Sequence, residues 1–249
     1  MIRWKISGST IVGNTHQKYG IKGQDRYCVK IVDGTAVVVV TDGVGSATHA
    51  LEGANAVCIG MAELLSRRGE DLLAYKTDEF MSFVKASVEE ILKTKSRELG
   101  CTVRDLDTTL MVFVSNGLRF IAGGMGDGLI GRMNPESLDS EVIIGPEKGR
   151  FANESYFVAS SDFDRHFHIV AGSYDVRSVY FLMTDGSCEC LYDPRTKDYA
   201  KALSVFCGWA RTYPREAVNE ALFGSMNKLF RERTADDCAL VLVTESSGG

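Results

Sequence analysis

The chain has 249 residues, of which 45% are hydrophobic, and this is enough to bury the core of one large domain. Its net charge of −5 gives no reason to expect binding to nucleic acid or to an anionic membrane. Since no apolar stretch approaches the length of a membrane span and the first residues lack the pattern of a signal peptide, a cytoplasmic location is expected.

The first part of the chain predicts antiparallel strands. Residues 2–12 alternate in polarity and predict a strand, and residues 14–25 predict a polar loop. Two more strands, 27–32 and 36–41, flank an Asp-Gly turn, which is a signal for a hairpin. The second strand of this hairpin contains a run of valines, a pattern typical of a buried strand.

Two helices are predicted next in the chain. Apolar residues recur at three- and four-residue steps over 49–67 and 78–99, so each helix has one apolar face. Because both helices follow paired strands, we expect them to form a layer against a sheet.

The remaining residues predict short strands and, near the end, two helices. Asn116-Gly117 between apolar runs indicates a hairpin, and Pro214 suits the first turn of a helix. Residues 145–178 have the weakest pattern. The predicted strands are 108–114, 118–122, 129–133, 141–144, 156–159, 167–171, 180–184 and 238–243, and the predicted helices are 198–211 and 214–231.

The order of these elements predicts the fold class. The strands come in hairpins and the helices come in pairs, which favours antiparallel sheets over alternating β-α units. We therefore predict an α+β fold in which two packed antiparallel sheets are flanked by helices on both sides. The prediction is one domain over residues 1–245 and a disordered tail at 246–249.

Three carboxylates lie at the ends of apolar strands. Asp42 and Asp185 each stand in a Thr-Asp-Gly sequence after such a strand, and Asp236 comes shortly before the last one. Together with the Gly43 carbonyl they supply oxygen ligands, which Mg²⁺ and Mn²⁺ prefer. The sequence contains no Cys-x-x-Cys pair of the kind that binds zinc. Two such ions about 3.5–4 Å apart can activate a water for attack on phosphorus. The pattern predicts metal-assisted phosphate hydrolysis.

Six short motifs, in their order along residues 12–243, resemble the signature blocks of the metal-dependent (type 2C) Ser/Thr protein phosphatases. The Gln-Asp form of the first block resembles the divergent "type 2" branch of that family. The motifs are Gly13-Asn-Thr-His with Gly23-Gln-Asp-Arg, Thr41-Asp-Gly-Val-Gly, Asp107-Thr-Thr-Leu, Gly126-Asp-Gly, Thr184-Asp-Gly-Ser-Cys-Glu and Ala235-Asp-Asp-Cys.

The resemblance implies a role for each matching residue. Asp42 would bridge two metal ions, with the Gly43 carbonyl on one of them, and Asp185 and Asp236 would each bind a metal. These three aspartates would be the catalytic set. Asp25 would hold metal-bound water from the outer shell. The family's fold, a β-sandwich between helix pairs, agrees with the fold predicted above.

Two further acidic residues match positions near a third, weaker metal ion. Asp127 stands at the family's Gly-Asp position, and Glu189 stands four residues after Asp185. The resemblance thus implies two, and with Asp127 three, Mg²⁺ or Mn²⁺ ions. Asp127 could instead only bend a glycine-rich hairpin.

The first block departs from the common family pattern. Gln24 replaces a glutamate, and Gly20 occupies the expected position of the arginine that binds substrate phosphate. His16, Lys18 and Lys22 are the candidates to replace that arginine. Gln24 is expected to support the site from a second shell or to hydrogen-bond within the loop, and His16 could equally cap the loop.

The implied activity is hydrolysis of phosphoserine or phosphothreonine by a metal-activated water without a phosphoenzyme. A protein kinase or its target would be the phosphorylated partner. A scaffold that binds phosphopeptides without catalysis stays open, and metal binding would distinguish the enzyme from it. A nucleotide-binding βαβ unit is disfavoured because Thr48 stands at the third glycine position.

Residues 145–178 are the candidate region for substrate selectivity. Within them an alternating set of acidic and histidine residues predicts the solvated face of an edge strand, although it imitates a metal patch. These residues are Asp162, Asp164, His166 and His168.

Overall fold

The computed structural model describes residues 3–147 and 156–246. The strands are β1 (Trp4–Ile11), β2 (Arg26–Val32), β3 (Thr35–Thr41), β4 (Leu110–Ser115), β5 (Arg119–Met125), β6 (Leu129–Met133), β7 (Ser140–Ile144), β8 (His168–Ser173), β9 (Val179–Met183), β10 (Tyr192–Asp193), β11 (Asp198–Tyr199) and β12 (Cys238–Glu245). The α-helices are α1 (Asn14–Tyr19), α2 (Ala50–Arg68), α3 (Thr77–Leu99), α4 (Phe163–His166), α5 (Asp185–Leu191), α6 (Lys201–Thr212) and α7 (Arg215–Leu229).

Ten of these strands form two antiparallel sheets of five. The first has the order β1-β12-β9-β6-β7, and the second has the order β2-β3-β4-β5-β8. Strands β10 and β11 form a separate two-stranded ribbon. The predicted α+β class with two antiparallel sheets and flanking helices is confirmed.

The valine run of β3 is buried on both faces of its sheet. Val38 and Val40 pack in the core between the two sheets, with Tyr180 and Val241 of the first sheet in the same cluster. Val37 and Val39 point the other way, towards the helices. A strand covered on both faces needs apolar residues at every position, which explains the uninterrupted run.

Each sheet carries its own pair of helices on its outer face. Helices α2 and α3 pack on the second sheet through apolar residues such as Met61 and Val88. Helices α6 and α7 pack on the first sheet through residues such as Phe206 and Leu222. The architecture is thus helices, sheet, sheet, helices, and the loops at the ends of the strands are free to form a site.

Several local predictions were wrong. The predicted polar loop at 14–25 contains α1, which ends at Gly20 with a φ of 66°, a value that glycine adopts easily. Residues 156–159 do not form the predicted strand. Their backbone bonds go instead to a loop, since Val158 donates to the Thr108 carbonyl at 3.0 Å.

The alternating acidic and histidine residues do not share a strand face. Phe163–His166 forms α4, with Asp162 as its N-cap residue, and β8 begins only at His168. The short helix breaks the two-residue period that the prediction assumed. Likewise, residues 198 and 199 belong to β11, so α6 begins at Lys201.

At the end of the chain, Ser246 donates its backbone N–H to the Arg3 carbonyl at 2.6 Å. The other residues of the predicted tail, 247–249, lie outside the described residues, as do residues 148–155. No helix in the described ranges has the length and apolar character needed to cross a bilayer.

Candidate metal centre

Four acidic residues from separate parts of the chain meet at one end of the β-sandwich. Asp42 follows β3, Asp127 lies between β5 and β6, Asp185 begins α5 directly after β9, and Asp236 precedes β12. Asp42, Asp127 and Asp185 each offer a carboxylate oxygen within 4.8 Å of the others. In the first sheet, antiparallel pairing places the end of β9 beside the starts of β6 and β12. The end of β3 comes from the second sheet, which packs against the first.

The backbone of Asp42 is fixed by two threonines. Its carbonyl accepts hydrogen bonds from the Thr109 N–H at 2.8 Å and from the Thr108 Oγ1 at 2.7 Å. Its own N–H donates to the Thr109 Oγ1 at 3.0 Å. These bonds hold the strand end at which the carboxylate projects. They also give a physical reason for the Asp-Thr-Thr sequence that precedes β4.

The carboxylates line an open pocket of about 340 Å³. Asp42, Asp127, Asp185 and Asp236 form part of its wall, and the loop of residues 43–46 forms another part. His16, Gln24 and Phe157 complete the lining. None of the described residues that line this pocket is a lysine or an arginine. The pocket therefore concentrates negative charge.

Burial, together with the neighbouring carboxyls, raises the pKa of the pocket carboxyls. Burial, followed by the charges of Asp42, Asp236 and Asp127, raises the pKa of Asp185 to about 9. Burial and the neighbouring Asp25 carboxyl raise the pKa of Asp42 well above its ordinary value. The pKa of Asp236 is also raised, chiefly by burial, although the Asp237 N–H hydrogen-bonds to it. Bound cations would offset these like-charge interactions.

Asp25 lies behind the pocket and is buried. Its Oδ2 accepts a hydrogen bond from the Thr184 Oγ1 at 2.5 Å, and that hydroxyl in turn accepts the Ala239 N–H at 2.8 Å. Its Oδ1 is buried and accepts no hydrogen bond from any residue in 3–147 or 156–246. Burial is the main cause that raises the pKa of Asp25, and Asp42 and Thr184 oppose the rise. A buried oxygen without a donor fits a role in holding water beside a cation.

Asp237 is the residue of this site that the sequence reasoning missed. It is buried, and its Oδ1 accepts the Gly13 N–H at 2.7 Å. Its Oδ2 contacts the His16 Nδ1 at 2.9 Å and the Gln24 N–H at 2.6 Å. Asp237 therefore fastens both ends of the loop that carries the first motif. The repeated Asp in Ala-Asp-Asp-Cys was the signal that could have indicated it.

Two glycines let backbone segments approach the Asp236–Asp237 segment closely. A Cβ on Gly13 would lie 2.4 Å from the Ala235 carbonyl oxygen, and a Cβ on Gly186 would lie 2.1 Å from the Asp237 carbonyl oxygen. Neither position has room for a side chain. Close contact with the Ala235–Asp237 segment thus explains why glycine stands at positions 13 and 186.

The structure separates the three candidates for phosphate binding. His16 lines the pocket, with 18% of its side chain exposed. Lys18 and Lys22 are exposed and lie outside the pocket lining, and the Lys18 ammonium sits 5.5 Å from the centre of the Tyr19 ring. Only the histidine of this set is brought to the carboxylates.

The second-shell candidates also differ in position. Gln24 lines the pocket, and its backbone is held by Asp237. Glu189 is exposed and accepts a hydrogen bond from the Thr234 Oγ1 at 3.0 Å. It lines a small neighbouring cavity of about 60 Å³ together with Asp127 and Asp185. Glu189 and Asp127 thus line the same small cavity.

Glu147 anchors residues from the 145–178 region beside Asp127. Its N–H donates to the Gly126 carbonyl at 2.9 Å, and its carboxylate contacts the His166 Nδ1 at 2.9 Å and the His168 Nε2 at 2.8 Å. The Tyr156 ring stacks on the His166 ring. Burial alone would raise the pKa of Glu147, but the two histidine contacts hold it below its ordinary value. We call His166, Glu147 and His168 the His–Glu–His clamp.

The protein phosphatase 2C family model matches residues 12–225 of the chain. This chain belongs to that family. No curated protein sequence matches the chain significantly.

Solved structures of phosphatases have the same fold. The catalytic domain of the Ser/Thr phosphatase PstP, in complex with two manganese ions, has a TM-score of 0.68 and 13% identity over 99% of this chain and 100% of that one. Stp1 from Staphylococcus aureus has a TM-score of 0.67 and 11% identity over 100% and 96%. RsbX in complex with magnesium has a TM-score of 0.59 and 15% identity over 99% and 100%. At these identities the similarity shows the fold.

Proposed function

We propose that this chain is a Mg²⁺- or Mn²⁺-dependent protein phosphatase that hydrolyses phosphoserine and phosphothreonine. The observation that carries the proposal is the convergence of Asp42, Asp127, Asp185 and Asp236 on one pocket without a lysine or arginine among its described lining residues. Like charges at this density with raised pKa values are typical of a site built for cations. Membership of the phosphatase 2C family supports the same activity.

Each residue then has an expected role in holding the cations. Asp42, the Gly43 carbonyl, Asp185 and Asp236 would hold two cations. Asp25 holds water in an outer shell through its free Oδ1. Asp127 and Glu189 serve a third ion. The cations supply an activated water and neutralise charge on the phosphoryl oxygens.

The chain's own residues would position the substrate. Loop 43–46 and Phe157 line the pocket beside the carboxylates, and His16 is the pocket residue that can donate a hydrogen bond to a phosphoryl oxygen. A phosphorylated kinase or its target is the expected substrate. We expect direct attack by water, so no phosphorylated form of the enzyme accumulates.

The test is hydrolysis of p-nitrophenyl phosphate by the purified chain with Mn²⁺ and with EDTA, for the wild type and Asp42→Asn. Asp71→Asn, at an exposed aspartate far from the pocket lining, is the matched control. Mn²⁺-dependent activity in the wild type and control, lost in Asp42→Asn, supports the proposal. Recovery of a phosphorylated enzyme after quenching would contradict direct attack by water.

A phosphopeptide-binding scaffold remains the second candidate. The observation that weighs against catalysis is that no lysine or arginine is among the described lining residues, so contact with substrate phosphate would depend on His16. A scaffold need not bind Mn²⁺. Calorimetry that detects phosphopeptide binding but no Mn²⁺ binding, in a chain without hydrolytic activity, would decide for the scaffold.

A further inference from the structure

The chain leaves the carboxylate pocket at His16 and returns to it at Gln24. Both residues line the pocket, and Asp237 contacts the His16 ring at 2.9 Å and the Gln24 N–H at 2.6 Å. Between them, the Ile21 N–H donates to the His16 carbonyl at 2.8 Å, and every residue from 17 to 22 is exposed. These six residues therefore form an exposed bend beside the pocket mouth.

This bend carries positive charge and apolar side chains but no carboxylate. Its charged residues are Lys18 and Lys22, and neither forms an ion pair with a carboxylate in the described part of the chain. Tyr19 and Ile21 are 67% and 45% exposed. The Lys18 ammonium lies against the Tyr19 ring, a cation–π contact that favours its position at the surface. We call residues 17–22 the basic bend.

Arg231 lies against the basic bend and adds a further positive charge. Its guanidinium donates to the Gln17 side chain at 2.8 Å, and its carbonyl accepts a hydrogen bond from the Asn14 side chain at 2.8 Å. The exposed Glu232 beside it carries one opposing charge. The surface made by the basic bend and this arginine thus keeps a net positive charge, in a chain whose net charge is −5.

The position of this surface suits the residues on either side of a bound phosphoserine. In an extended peptide, residues two or three positions from the phosphorylated one lie about 7–10 Å from it. Carboxylates at such positions would be attracted by the basic bend, whereas lysines would be repelled. Because the proposed cations offset the charge of the pocket carboxylates, the basic bend sets the charge preference beside the pocket.

We propose that the basic bend and Arg231 select phosphopeptides with acidic residues close to the phosphoserine or phosphothreonine. This inference names a substrate class for the proposed phosphatase function and rests on that function. Lys18 and Lys22 contact the acidic side chains, while the phosphoryl group enters the pocket that they do not line. Tyr19 and Ile21 offer the peptide an apolar contact between the two lysines.

Hydrolysis of matched peptides with Mn²⁺ tests this selectivity. Three phosphoserine peptides of equal length carry two glutamates before the phosphoserine, two glutamates after it, or glutamines at all four positions. We expect kcat/KM for one glutamate peptide to exceed that for the glutamine peptide by about tenfold at low salt, mainly through a lower KM. The excess should shrink at high ionic strength, because salt screens exposed charges.

Two lysine variants show whether the basic bend causes the preference. Lys18→Ala/Lys22→Ala should lower kcat/KM for the glutamate peptide more than for the glutamine peptide. Lys18→Glu/Lys22→Glu should make a peptide with lysines at these positions better than the glutamine peptide, a reversal that damage to the fold cannot produce. The matched control Lys93→Ala/Lys95→Ala removes two lysines from α3, outside the pocket lining, and should keep the wild-type preference.

Hydrolysis of p-nitrophenyl phosphate, which has no flanking residues, separates the two proposals. A wild type without Mn²⁺-dependent activity on it or on any peptide would refute the proposed function and, with it, the substrate class. Normal hydrolysis of p-nitrophenyl phosphate with equal kcat/KM for the three peptides would leave the function standing and overturn the inference. A glutamate preference that survives in both lysine variants would also overturn it.

An anionic membrane is the other partner that exposed lysines beside apolar side chains could bind. Sedimentation with phosphatidylserine vesicles tests this. Binding by the wild type that Lys18→Ala/Lys22→Ala loses, without a preference among the peptides, would assign the basic bend to a membrane surface and overturn the proposal.

Discussion

The two ends of strand β9 treat acidic residues in opposite ways. At the end that leads into α5, Asp185 faces other carboxylates, and its pKa is raised to about 9. At the other end, Asp175 accepts hydrogen bonds from Arg177 and Ser178, which hold its pKa below the ordinary value against the effect of burial. Strand β9 thus has grouped carboxyls at one end and, at the other, an aspartate whose charge is balanced by hydrogen-bond donors.

Strand β6 shows the same division. Asp127 precedes it at the carboxylate pocket, whereas Arg132 near its far end pairs with Glu141 at 2.7 Å. The cavity at this far end has a volume of about 460 Å³, and its lining contains Arg132, Arg177, Glu141 and Asp175. Exposed ion pairs of this kind contribute little to the free energy of unfolding and are common on protein surfaces. Grouped carboxylates with raised pKa values lower that free energy and are typical of functional sites.

Replacing one aspartate at each end should give the largest difference. Asp42→Asn should lower Mn²⁺-dependent hydrolysis by more than about a hundred-fold, because a proposed bridging ligand is lost. Asp175→Asn should keep full activity and lower the free energy of unfolding by about 1 kcal/mol through weakened hydrogen bonds. Initial rates and urea unfolding of both variants measure this. Equal activity in the two variants would show that the carboxylate pocket and the opposite end of the sandwich do not differ in function.

A side chain added at Gly186 should damage the carboxylate end next most strongly. Its Cβ would overlap the Asp237 carbonyl oxygen, so Gly186→Ala must displace the segment that carries Asp236 and Asp237. We expect at least a tenfold loss of activity and a loss of about 1–3 kcal/mol in stability.

Gly224→Ala is the control for this variant. Gly224 lies inside α7 with no atom within 4 Å of an added Cβ, so alanine should stabilise the helix by about 0.5–1 kcal/mol. Kinetic assays and thermal melting of both variants provide the check. Normal activity in Gly186→Ala would show that the close contact does not shape the site.

The raised pKa of Asp185 predicts a pH dependence of the metal-free protein. The folded pKa is about 9, and the value in an unfolded chain is about 3.9. The folded state therefore holds a proton that the unfolded state has lost. The resulting stability is fully present below about pH 4 and disappears as pH rises through 9.

Asp185→Asn should weaken this dependence, because Asp25, Asp42 and Asp236 keep raised pKa values, and should stabilise the metal-free protein above neutral pH. Each kcal/mol corresponds to about 2–4 °C in a chain of this size, and we expect a rise in Tm of several degrees. Melting curves in EDTA from pH 5 to about 9, with Asp71→Asn as control, measure the effect. A lower Tm for Asp185→Asn at every pH would argue against like-charge destabilisation.

The His–Glu–His clamp should give the smallest effect. Glu147→Gln removes the charge that bridges His166 and His168, and we expect a loss of about 1–2 kcal/mol in stability. Because the folded pKa of Glu147 is lowered, its contribution is present above the unfolded pKa and is lost as pH falls through the folded one. Thermal melting against the exposed control Glu136→Gln tests this, and identical Tm values would show that the clamp contributes nothing.

The sequence predicted the parts of the site that depend on local pattern. Thr-Asp-Gly after an apolar strand indicated Asp42 and Asp185, and the hairpins and paired helices predicted the layered fold. Asp237 was missed because its partners lie far away in sequence: Gly13 is 224 positions before it and His16 is 221 positions before it. Such contacts depend on strand pairing, and no local pattern encodes them.

Two other predictions failed or stayed open for related reasons. Lys18 and Lys22 stand close to His16 in sequence, but Lys18 in α1 and Lys22 in the loop after it both lie outside the pocket lining. Residues 162–168 alternate like a strand, yet the packing of Phe163 in the core and the clamp around His166 favour a short helix followed by β8. At residues 162–168, tertiary contacts outweighed a weak local preference for a strand.

The protons released on metal binding test the central claim most directly. Mn²⁺ titration by calorimetry at pH 7, repeated in buffers of different ionisation enthalpy, gives the number released per chain. Because Asp185 has a pKa of about 9 in the metal-free protein, binding should release at least about one proton, and Asp185→Asn should release fewer. Mn²⁺ binding without proton release, or no binding at all, would contradict a cation site made from these carboxylates.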